Sequence, residues 1–187
     1  KLYFFTHNPE SHSSVDISNS LSLDFSFKLV EFNNVLYIFY TTDCSSCSGF
    51  NNSTIYYRTA TVNRGTDGKG WALEFSGQKS ISAGVSKVKI RMAHSMEGTM
   101  YVIYSAGSNW YTIASADGLF NPATPGSLVK MSLFTAPDGI TGAGGAVFQV
   151  SDPDKGIMDK LMIAYATGST VKYLFFDGKG VYGQNAI

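Results

Sequence analysis

Short apolar runs of strand length recur along the whole chain, each bounded by Gly, Asn, Asp or Ser. Leu2–Thr6, Leu21–Phe32, Val35–Thr41, Ile55–Val62, Trp71–Ser76 and Val88–Ala93 have this form. So do Met100–Ser105, Trp110–Ser115, Leu128–Phe134, Ala146–Ser151, Leu161–Ala166 and Val171–Phe176. They are dense in Tyr, Phe, Val, Ile and Thr, the side chains that fit a pleated, half-buried surface. No stretch places apolar residues at i, i+3, i+4 and i+7 between helix caps. Asp67-Gly68, Asp117-Gly118, Asp138-Gly139 and Asp177-Gly178 supply the positive-φ positions of tight turns. The pattern predicts an all-β chain.

A weak internal repeat orders these strands. Leu36–Tyr40, Met100–Tyr104 and Leu161–Tyr165 are each followed by a second strand: Ile55–Thr59, Trp110–Ala114 and Val171–Phe175. Tyr40, Tyr104 and Tyr165 lie about 60 residues apart, and an apolar strand precedes each first hairpin strand. Four strands per period is the make-up of a propeller blade. The expected architecture is one domain, 1–187, holding a β-propeller-like array of about three four-stranded units. An N-terminal strand and polar segment span 1–20, and the units span 21–80, 81–134 and 135–187. A β-sandwich is the alternative; the propeller is preferred because the period is a whole four-strand unit. Three units fall short of the usual four to eight blades. A degenerate extra blade, a larger parent chain or a homo-oligomer would complete the ring.

The 187 residues suit one domain, and 44% hydrophobic against 15% charged residues argues against disorder. Equal numbers of basic and acidic side chains remove the electrostatic footprint of a non-specific nucleic-acid binder. No apolar run is long enough to span a membrane. Lys1 opens directly on an apolar segment with no signal-like leader, the expectation for a mature or trimmed chain.

Several phrases from Phe25 to Phe176 resemble the five-bladed-propeller arabinofuranosidases and their relatives. They are Ile55-Tyr-Tyr-Arg-Thr59 leading to Gly70-Trp71, Met100-Tyr-Val-Ile-Tyr104, Gly118-Leu-Phe-Asn-Pro122, Phe148-Gln-Val150 and Lys160-Leu-Met-Ile163. The resemblance implies a propeller and places this chain on its second to fourth blades. The resemblance implies a base, an acid and a third carboxylate that tunes the acid, the first two being the pair an inverting glycosidase requires. Where the resemblance implies two of them, this chain has Arg91 and Gly145. Asp24 matches the base only with a one-blade shift. The resemblance therefore implies the architecture and argues against the reaction.

Of the remaining groups, His7, His12 and His94 lack a nucleophile elbow. Cys44 and Cys47 read as a local disulfide in an exported protein, since no second Cys or His pair completes a zinc site. Asn51 and Asn52 head overlapping glycosylation sequons, a second hint of a secreted or extracellular chain. Asp152, Asp154 and Asp159 alternate as calcium-loop ligands do, without the closing Glu. A solvated hairpin tip is preferred there, leaving no cofactor beyond a candidate calcium.

Trp110 or Tyr111 would serve as a stacking platform for sugar C–H faces, with Arg91, Asn109 and Asp117 binding hydroxyls. Trp110 as a filler between blades is the competing expectation. Together these residues point to a non-catalytic carbohydrate-binding, lectin-like recognition module whose partner is a glycan or glycoprotein. The alternatives are a propeller-type glycoside hydrolase using Asp24, Glu97 and Asp117, and a partner-binding fragment of a larger toxin, adhesin or surface protein.

Overall fold

The computed structural model describes residues 2–5, 12–15, 27–41, 53–64, 71–136 and 140–186. The described residues contain strands and turns and no helix, so none is long and apolar enough to cross a membrane. The all-β, propeller-like array of three units is what forms.

A short hairpin pairs β1 (Leu2–Phe5) with β2 (His12–Val15). Sheet one is a meander of β3 (Phe27–Phe32), β4 (Val35–Tyr40) and β5 (Thr54–Arg64). Two short strands, β6 (Trp71–Phe75) and β7 (Lys79–Ser82), share its outer edge by pairing successive stretches of β5. Sheet two runs β8 (Val88–Met96), β9 (Thr99–Ala106), β10 (Asn109–Ser115) and β11 (Val129–Thr135). Sheet three runs β12 (Ile140–Asp152), β13 (Gly156–Thr167), β14 (Thr170–Phe176) and β15 (Val181–Ala186). All pairings are antiparallel.

The first strands meet: β8 lies between β3 and β12. Sheet two is therefore covered on both faces, and its strands alternate between two cores. Met100, Val102 and Tyr104 join one core with Tyr37, Phe39 and Tyr57 of sheet one. Tyr101, Ile103 and Trp110 join a second with Leu161, Ile163 and Tyr165 of sheet three. This alternation explains why β9 reads as a continuous apolar run. The repeat is structural: residues aligned by the sequence period face the same way in successive sheets.

The described residues build two four-stranded sheets, one five-stranded sheet and one hairpin, and no five-bladed propeller forms among them, so the likeness to the five-bladed propellers is corrected. Three strands escape the hydrophobic pattern. These are β2 and β7, which are polar, and β15, which is broken by Gly183 at a bulge with φ of 64°. Because β7 pairs with β5, sheet one continues to Ser82, two residues beyond the 21–80 unit.

Candidate functional site

The hairpins β3–β4 and β8–β9 and the start of β13 converge on an open pocket of about 240 Å³. Glu31 and Asn33 come from sheet one, Ser95 and Glu97 from sheet two, and Asp159 from sheet three. Buried Phe32 and Met96 add apolar lining. Each repeat thus contributes an acidic side chain to one end of the array.

Two-residue turns set this geometry. Asn33 and Asn34 (φ 52° and 61°) form one; Glu97 and Gly98 (φ 49° and 70°) form the other. Positive φ at both central positions matches the twist of the flanking strands and favours Asn and Gly. A glutamate there is unusual, and non-glycine residues in this region sit at functional sites more often than elsewhere. The Glu97 turn is held across the sheet boundary. The Glu97 amide donates to Asp159 Oδ2 at 3.3 Å, and the Asp159 amide donates to Glu97 Oε1 at 3.2 Å. Gln149 Nε2 donates to the other Asp159 oxygen at 3.4 Å. Glu31 Oε1 accepts the Asn34 amide at 2.6 Å. Every carboxylate is anchored through an amide while remaining at the pocket, an arrangement suited to accepting ligand hydroxyls.

The predicted sugar platform is a different place, and it is divided. Trp110 is 0% exposed, stacked on Phe134 at 4.9 Å and tilted against Tyr165 at 5.9 Å. It is a wedge between sheets two and three and not a platform. It aligns in the repeat with Ile55, which is also fully buried. Arg91 lies over the Trp110 ring at 5.5 Å, and its Nε donates to Ser105 Oγ at 2.8 Å. Burial pulls its guanidinium pKa down. Tyr111 is half-buried and stacked on Tyr104 at 5.5 Å. Asn109 is exposed and accepts the Thr135 hydroxyl at 2.9 Å.

Asp117 is beyond the opposite end of β10, about 20 Å of strand from Asn109. Its Oδ1 accepts Ser127 Oγ at 2.7 Å, the Leu119 amide at 2.8 Å and Ser115 Oγ at 2.9 Å. Those bonds, Ser127 foremost, hold the carboxyl below its usual range. Asp117 organises a loop that inserts Phe120 against Phe39 and Tyr57 at 5.6 and 5.2 Å. Of the described residues in the proposed catalytic set, Glu97 reaches the pocket and Asp117 does not. Asp24 lies outside the described residues, as do Cys44, Cys47, Asn51 and Asn52.

Of the candidate calcium ligands, Asp154 is exposed on the β12–β13 turn, whereas Asp159 is the fourth residue of β13 and lines the pocket. Among the described residues no three His, Cys, Asp or Glu side chains are grouped to hold a metal ion. Glu31, Asn33 and Ser95 carry no motif; only the juxtaposition of hairpins reveals them.

No family model, curated protein or solved structure matches this chain, so the likeness to the arabinofuranosidase propellers is not upheld. Gly145 has a packing reason of its own. A Cβ there would stand 2.6 Å from the Met162 carbonyl oxygen and 2.8 Å from Met92 Sδ.

Proposed function

We propose that the chain is a non-catalytic carbohydrate-binding recognition module, exported from the cell, that takes a glycan in the pocket between the hairpins. The observation that carries this reading is the convergence of Glu31, Asn33, Ser95, Glu97 and Asp159 from three repeats on one open pocket. Carboxylates and an amide bind vicinal hydroxyls, and the apolar lining meets the sugar's C–H surface. A single site of this kind binds weakly and gains strength when copies are linked. The test is a glycan array followed by titration of the best hit. Wild type should bind, and Glu97→Gln with Asp159→Asn should weaken it at least tenfold. Equal binding by both proteins, or none by wild type, refutes the reading. Export also carries a bridged Cys44–Cys47 pair, and two titratable thiols in unreduced protein would contradict it.

One observation favours a second reading, a glycoside hydrolase: Glu97 and Asp159 face a common pocket. Turnover of chromogenic glycosides that vanishes in Glu97→Gln would establish it.

A further inference from the structure

Sheets one and three end the array differently. On the side of sheet one that faces away from sheet two, Ile38 and Tyr40 of the central strand are fully buried. The corresponding outward side of sheet three is open. Phe148 (37%), Val171 (41%) and Tyr182 (45%) are exposed on it, and Lys160 is its only charge among the described side chains.

The repeat shows what this face is. Val171 aligns with Ile55 and Trp110, each of which is buried against the next sheet. The face thus stands where the other two repeats pack against a neighbouring sheet, and exposed apolar patches of this kind mark association surfaces. It is not shaped for a fourth unit of the same type. Tyr37 and Tyr101 place their hydroxyls at the Asp-Gly turns of the following sheets, beside Gly118 and Gly178. Met162 takes their place on sheet three, and Ala164 takes that of Phe39 and Ile103.

The face is instead complementary to itself. At its β13–β14 end, Gly142, Gly144, Ala164 and Ala166 line a shallow groove of about 190 Å³. Towards the β12–β13 end it rises into a ridge, where Phe175 packs on Phe148 at 5.7 Å and on Tyr182 at 5.8 Å. A twofold axis between two such sheets, perpendicular to their strands, lays each ridge over the other copy's groove. The same operation keeps the two Lys160 ammonium groups, each resting on its own Tyr182 ring at 5.8 Å, apart.

We propose that the outward face of sheet three is a self-association surface on which two copies of this chain pack as an isologous dimer. Face-to-face sheet packing about a twofold is the commonest closed geometry available to it. A four-stranded face of this length offers an area on the order of 600 Å² per copy, near that of a stable interface.

Sedimentation velocity over a concentration series up to about 100 µM tests this. Wild type should sediment as a dimer. Phe148→Glu with Tyr182→Glu should sediment as a monomer with an unchanged circular dichroism spectrum, since both side chains are already exposed. Leu119→Gln, on a distant exposed loop, should stay dimeric. A monomeric wild type, a dimeric double variant, or assemblies that grow beyond the dimer would overturn the proposal.

Discussion

The Tyr101 hydroxyl lies 2.6 Å from the point where a Cβ on Gly178 would stand. Gly178 has a φ of 86° and follows Asp177, whose Oδ1 accepts the amides of Lys179 at 2.9 Å and Gly180 at 3.0 Å. Although burial opposes it, those amides hold the Asp177 carboxyl below its usual range. One repeat earlier Tyr37 meets Gly118 in the same way, at a φ of 73° and after Asp117. A tyrosine from one sheet thus closes on the Asp-Gly turn of the next, twice.

Gly178→Ala should therefore destabilise the fold by about 2 kcal/mol, through left-handed backbone and the lost room for Tyr101. Tyr101→Phe in the same chain should recover part of that loss, because only the hydroxyl intrudes. A double-mutant cycle in urea reads the coupling; strictly additive changes would contradict it.

Gly145→Ala should cost more than an ordinary strand glycine substitution, on the order of 2 kcal/mol or above. Its backbone φ is unremarkable, but the obstacle is the Met162 carbonyl, which cannot rotate away as a side chain would. Thermal unfolding of this variant beside Gly144→Ala, where the space is open, separates crowding from propensity.

Stability should fall at both ends of the pH scale. Burial pushes the Tyr57 and Tyr104 hydroxyls up to about 12. A raised folded-state pKa gives stability that is complete below the unfolded value near 10 and lost as pH rises towards 12. Burial pulls His94 down from 6.5, against a backbone bond to Gly145 that pulls it up. That contribution is complete above 6.5 and lost as pH falls through the folded value. Denaturant midpoints from pH 5 to 12 should show both limbs. His94→Gln should flatten the acid limb alone.

The strands and their repeat were legible because β3, β4, β8, β9, β10 and β13 carry dense apolar runs, and the period exposed the three units. Polar β2 and β7 offered no such signal. The site was legible only at isolated residues. Glu97 and Asp159 each stood out, but for unrelated chemistry, since their contact is a long-range consequence of β8 packing on β12. Trp110 misled because an aromatic beside Asn and Arg looks like a platform, while its repeat position made it a wedge. Asp117 and Asn109 looked close in sequence, yet a full strand separates them.

The placement of the site at the hairpin end is tested most directly by backbone amide chemical-shift mapping with the best glycan from the array. Glu31, Asn33, Ser95, Glu97 and Asp159 should shift together, in three repeats at once, while Asn109 and Tyr111 stay still. Shifts confined to Asn109, Tyr111 and Arg91, or no shifts at saturating glycan, would contradict it.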